Sequence, residues 1–173
     1  TIAEVDIDAP PAAVWPLVTD INMSAQFSEE FQGAEWVGEE RGVGASFVGT
    51  NFHPSIGEFK VPSFIDARDE KAAFGWRTSD VDNPGARWRF DLEPHGSGTR
   101  LRYSVTLGPG PSGITMVIDS MPDKEGRILY RRIAEHHESM RNVVDGIKVL
   151  ATRMDGADAK TLRDAVDRFK DKL

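Results

Sequence analysis

The chain has 173 residues, 39% of them hydrophobic and 28% charged, with a formal net charge of −7 and a pI near 5.1. That suits one domain with a sizeable core, while the lack of cysteine excludes disulfides and Cys-ligated zinc or iron–sulfur centres and fits a cytoplasmic location. An acidic surface disfavours nucleic acid and anionic lipid, no apolar run reaches the ~18 residues of an integral membrane span, and no signal peptide is expected at Thr1.

Ile2 to Asp8 alternates apolar and acidic residues, which predicts a half-buried strand. Ala9-Pro10-Pro11 stops it, and Pro11 suits the first position of a helix over Ala12 to Val18 that Pro16 kinks or shortens. A second short helix is expected over Asn22 to Phe27. Strands follow over Ala34 to Glu39, Ala45 to His53, Glu58 to Asp69, Ala72 to Ser79, Arg87 to Glu93 and Arg100 to Leu107. In Glu58 to Asp69, Phe59, Val61, Ser63, Ile65 and Ala67 share a face, and Pro62 points to an edge position or a bulge. Phe74, Trp76 and Thr78 fall together, Trp88, Phe90 and Leu92 oppose Arg87, Arg89 and Asp91, and Leu101, Tyr103, Val105 and Leu107 oppose Arg102, Ser104 and Thr106. Strong alternation with short turns, such as His95 to Gly98, predicts an antiparallel meander with one wet face. The arginines 87, 89, 100 and 102 read as the solvated face of a hairpin.

Gly108 to Gly113 spells G-x-G-x-x-G, but Pro109 and Pro111 remove two N–H donors that a phosphate cradle would need, and no parallel βαβ unit surrounds it. It is a linker, and Ile114 to Ser120 is a short apolar segment after it. Ser120 with Asp123 resembles a capping box for a long helix over Asp123 to Met154. At 100° per residue, Leu129, Ile133, Met140, Val143, Val144, Ile147, Ala151 and Met154 fall within about 60° of one line. His136 lies inside that stripe, at about −20°, and His137 on its shoulder, at about +80°. Gly156 suits the helix stop. Residues 157–173 suggest a further helix, docked on the domain or on a second chain, which leaves a homodimer open.

An inward imidazole needs a hydrogen-bond partner: a neighbour such as Tyr103, a water, or a ligand. Burial would hold it neutral, the state a general base requires. His136 and His137 point about 100° apart and cannot chelate one ion, so neither a metal nor a cofactor is expected. No cationic group is clearly aimed inward.

The segments Val5 to Asp20, Gly44 to Asn51 and Trp88 to Thr99, followed by the long helix, resemble the START-like or Bet v 1-like superfamily (SRPBCC), in its bacterial polyketide cyclase/dehydrase-type branch. The resemblance covers residues 1–154 and leaves 155–173 as an appended tail. It implies an α+β helix-grip fold: a curved antiparallel β-sheet wrapped around a long C-terminal helix, with two short N-terminal helices. It also favours the Phe47–Asn51 side of its strand as the inner one, a choice periodicity leaves open. The expected ligand wall is then Phe47, Asn51, Ser63, Trp76, Thr78, Trp88, Phe90, Tyr103, His136, Met140 and Val144, mostly apolar with sparse polar groups. The first functional expectation is a binder of a hydrophobic or aromatic small molecule, lipid- or polyketide-like, held in a cavity between sheet and helix. The alternatives are a cyclase/dehydrase-type enzyme with His136 as acid/base and Asn51 or Tyr103 polarising a carbonyl, and an interaction module using the 157–173 helix.

Overall fold

Alternation along each strand sends its apolar side chains to one side of a seven-stranded antiparallel sheet, ordered β1-β7-β6-β5-β4-β3-β2. The strands are β1 (Ile2–Ile7), β2 (Phe31–Val37), β3 (Ser46–His53), β4 (Gly57–Asp69), β5 (Ala73–Thr78), β6 (Ala86–His95) and β7 (Gly98–Leu107). The helices are α1 (Pro11–Thr19), α2 (Gly113–Ser120) and α3 (Glu125–Met154). The computed structural model describes residues 1–54 and 56–154; Gly156 and the helix expected over 157–173 lie outside them.

Local chemistry sets the junctions. Pro11 opens α1, and the Thr19 hydroxyl closes it by donating to the Trp15 carbonyl at 2.9 Å. The second expected helix is a short 3-10 turn, Met23–Gln26. Thr99, fully buried, donates to the Ala9 carbonyl at 2.7 Å and ties β7 to the turn after β1. The G-x-G-x-x-G stretch is spent internally: Gly108 and Gly110 donate to the Gly85 and Pro84 carbonyls. A β-carbon at either glycine would collide with the backbone of 83–85.

Several expectations need correction. Ser120 does not cap α3; its hydroxyl bonds back to the Val117 carbonyl, and a separate 3-10 turn, Pro122–Lys124, precedes that helix. The capping pair belongs to α2, where the Ser112 N–H donates to Thr115 Oγ1 at 3.1 Å. Pro62 stands inside an interior strand, opposite Val48, and the bulge comes later, with Asp66 as the extra residue between Ile65 and Ala67. That bulge points Asp66 outward, where Oδ2 accepts from Arg77 Nε at 3.0 Å and Arg87 Nε at 2.7 Å. The arginine face is solvated as expected, its side chains 31–45% exposed, and its charge is paired on the sheet itself: Arg89 with Asp91, Arg100 with Asp6 and Arg102 with Glu4.

The helix stripe seals only in part. Met140, Val143, Val144, Ile147 and Ala151 are at most 2% exposed, packed with β1, β7 and α1, each worth about 1.5–3 kcal/mol of burial for the larger side chains. Gly146 gives the close approach: a β-carbon there would stand 2.5 Å from the Phe27 ring. Toward the N-terminal end Leu129 is half-buried and Ile133 is 41% exposed, against the expectation of a continuous buried stripe. Arg132 and His136 interrupt the apolar surface there, and His136 meets the sheet through Trp88.

Candidate functional site

A row of aromatic rings crosses the inner face of the sheet from β2 to β6. Trp36 meets Phe47 edge-on at 5.6 Å, Phe47 meets Trp76 at 6.0 Å, and Trp76 stacks on Trp88 at 6.3 Å with planes 9° apart. Below them Phe90 stacks on Tyr103 at 4.0 Å. His136 closes the row from α3, edge-on to Trp88 at 5.1 Å and 88°.

The residues expected to form a ligand wall divide into two sets. Phe47, Ser63, Phe90, Tyr103, Met140 and Val144 are at most 4% exposed and belong to the packed core. Asn51, Trp76, Thr78, Trp88 and His136 keep accessible surface, as does Trp36. Thr78 spends its hydroxyl on the Ala86 carbonyl at 3.3 Å, and the Asn51 amide reaches the Gly49 carbonyl of its own strand at 3.5 Å. This partly exposed set lies on the inner side of β2, β3, β5 and β6 and on the N-terminal half of α3, three tryptophans with an amide, a hydroxyl and an imidazole. Two surface depressions, of about 370 and 270 Å³, lie elsewhere: at the β2 edge around Asn22 and Gly33, and outside β4 and β5 around Asp66 and Arg77. Neither includes a residue of the expected wall.

Sequence reasoning missed a polar cluster on the same half of α3. Arg132 donates from Nη1 and Nη2 to both carboxylate oxygens of Glu30, at 2.7 and 2.6 Å, across 102 residues of chain. Both side chains are largely buried, 20% and 27% exposed. The Ser139 and Ser28 hydroxyls meet 3.3 Å apart, and Ser28 accepts from the Phe31 N–H, bracing the segment that carries Glu30. Arg132 supplies the cationic group that the sequence had not revealed. Its signal was its place one turn before His136, at about −60° on the helix wheel, at the stripe's margin, where a long side chain can lay its stem on apolar surface.

Burial, reinforced by the Arg132 charge, lowers the His136 pKa to about 4. The imidazole is therefore neutral near pH 7, and among the described residues its ring nitrogens make no hydrogen bond. Tyr103 is not its partner: burial pushes that phenol up, and Ser24 is the hydroxyl that acts on it. Burial would raise the Glu30 carboxyl too, but the hydrogen bonds and charge of Arg132 outweigh it and hold Glu30 below its ordinary value. His137 turns away, its Nδ1 3.1 Å from Thr1 Oγ1. No three His, Asp or Glu side chains among the described residues are placed to hold a metal ion. No helix among them is long and apolar enough to cross a membrane.

Residues 2–124 match a family model described as polyketide cyclase / dehydrase and lipid transport. A polyketide-cyclase-like protein from Corynebacterium glutamicum is 24% identical with a TM-score of 0.59, over 92% of this chain and 95% of that one. Ara h 8.0201 has a TM-score of 0.53 at 18% identity, over 84% of this chain and 97% of that one. The di-domain ARO/CYC StfQ of the steffimycin pathway has a TM-score of 0.54 at 16% identity, over 88% of this chain and 44% of that one. These likenesses establish the helix-grip fold. Shorter stretches match alanine–tRNA ligases: 70% identity over 80 residues with that of Ralstonia nicotianae and 73% over 30 residues with that of Delftia acidovorans. The chain spans only 9% and 3% of those two ligases.

Proposed function

The chain belongs to the polyketide cyclase / dehydrase and lipid transport family, and we propose that it holds a hydrophobic or aromatic small molecule between the sheet and the N-terminal half of α3. One observation carries this reading: the inner-face Trp36, Trp76 and Trp88 stay partly exposed beside a neutral, unbonded imidazole, while the rings under them are sealed. Apolar surface left open on an inner face is surface that a ligand can cover, and sparse polar groups at its margin set orientation. The ligand lies along the tryptophan row, with a hydroxyl or carbonyl hydrogen-bonded to His136. The test is tryptophan fluorescence together with native mass spectrometry, titrating the protein with a naphthalene-type probe and a long-chain alcohol. Uptake with quenching that is weakened by Trp88→Ala is expected. A protein that takes up neither compound refutes the reading.

The Glu30–Arg132 pair favours a second reading, a cyclase/dehydrase-type enzyme. A neutral His136 can accept a proton from a carbon beside a carbonyl, and a nearby guanidinium favours the enolate that results. A pKa near 4 makes that imidazole a weak base, so binding is the better supported of the two. His136→Ala should abolish turnover of a poly-β-carbonyl substrate and spare its binding; activity that survives the substitution excludes the mechanism.

A further inference from the structure

At the end of the aromatic row opposite His136, the loop between β2 and β3 folds Arg41 back so that its guanidinium lies 4.6 Å over the Trp36 ring. The side chain is held there. Nη1 donates to the Gly38 carbonyl at 2.9 Å and to the Glu40 carbonyl at 2.8 Å. The loop is fixed in turn by Arg68, whose Nη1 donates to the Arg41 carbonyl at 2.6 Å. Gly38 and Gly44, with φ of +77° and +90°, supply the left-handed corners that bring the loop around.

This arrangement uses one nitrogen of the guanidinium and leaves the others. Among the described residues neither Nε nor Nη2 of Arg41 makes a hydrogen bond, and no carboxylate pairs with it, although Glu39 and Glu40 adjoin it in the chain. The Nε–Nη2 edge presents two parallel N–H donors, the fork that fits the two oxygens of a carboxylate. Most arginines of the sheet are already paired in this way: Arg77, Arg87, Arg89, Arg100 and Arg102 each meet an Asp or Glu. Arg41 stands apart from them in being pre-positioned against a partly exposed aromatic ring with that edge open.

We infer that Arg41 forms an anion-receiving subsite at the Trp36 end of the tryptophan row, and that the ligand class is an apolar or aromatic body carrying a terminal carboxylate. The inference rests on that row being a ligand site, and it adds polarity to it: a neutral oxygen of the ligand at His136, its acid group at Arg41. A fatty acid and an aryl carboxylate share this chemistry, and chain and ring probes separate them.

The experiment measures binding of matched acid and amide pairs to the whole chain by calorimetry and tryptophan fluorescence: 2-naphthoate against 2-naphthamide, and dodecanoate against dodecanamide. The wild type should bind the acid of at least one pair about tenfold more tightly than its amide, with the preference shrinking at high salt. Arg41→Gln should bring acid and amide to parity, and Arg41→Lys, which keeps the charge but not the fork, should restore only part of the preference. Equal affinity for acid and amide in the wild type, or a preference that survives Arg41→Gln, overturns the subsite while the proposed ligand site stands. If no member of either pair binds, the ligand site itself is refuted and the subsite with it.

Discussion

Lowering the pH should destabilise this protein through one imidazole, and the size of the effect follows from where that ring sits. His136 is packed edge-on against Trp88, next to the Arg132 guanidinium, and its pKa falls from 6.5 to about 4. Between those values the unfolded chain binds a proton at this site and the folded chain does not. Stability therefore rises with pH across the window, and is lost as pH falls from about 6.5 to about 4. At about 1.4 kcal/mol per pKa unit, the whole shift corresponds to roughly 3 kcal/mol, a large part of the ~5–15 kcal/mol that stabilises a domain. The assay is urea denaturation of the wild type and of His136→Phe at pH 7, 5.5 and 4.5, taking the difference so that the other histidines cancel. The difference should shift in favour of the variant as pH falls, by about 2 kcal/mol or more over the range. Glu30 contributes separately: its carboxyl is held below its usual 4.5, so the stability it adds is present above that value and is lost further down. A wild-type-minus-variant difference that does not change with pH, or an NMR titration placing the His136 ring near 6.5, would show that the ring is solvated and the reasoning wrong.

Three further outcomes are expected. Glu30→Gln and Arg132→Met should each cost about 2 kcal/mol, between the values for exposed and buried pairs; a double-mutant cycle in urea should give a coupling of at least about 1 kcal/mol, and a coupling near zero would reduce the pair to a surface contact. Gly146→Ala should lose about 1–2 kcal/mol, because the clash with Phe27 outweighs the gain in helix propensity; Gly126→Ala in the same helix, where a β-carbon meets nothing within 4 Å, should instead raise the melting temperature. Asn22→Ala exposes the Ala34 N–H and carbonyl that its amide now satisfies at 2.7 and 3.1 Å, so a loss of about 1–2 kcal/mol and edge-to-edge association in sedimentation should follow.

Strand residues were legible because a two-residue period is a local property. Trp88, Phe90 and Leu92 face inward as their alternation with Arg87, Arg89 and Asp91 requires, and the family resemblance chose the correct side of β3, with Phe47 buried and Phe52 48% exposed. What escaped depends on partners distant in sequence. Glu30 and Arg132 are 102 positions apart, and nothing local to either names the other. Ser112 and Ser120 both precede a polar residue by three positions, so spacing could not tell which of them caps a helix. The partial exposure of Leu129 and Ile133 was hidden for a similar reason: a helix wheel shows which residues share a stripe, and not how much of that stripe the surface opposite covers.

The contact between Gly146 and Phe27 has a mechanical consequence. It lies in the tightly packed half of α3, about 25 Å along the helix from Leu129 at 1.5 Å per residue. A rigid helix fixed at one point acts as a lever, so a tilt of about 5° at this fulcrum moves the Leu129 end by about 2 Å. The spacing between that end of α3 and the tryptophan row, where a ligand is proposed to lie, is thus geared to the fit of a single aromatic ring into a notch made by a missing side chain.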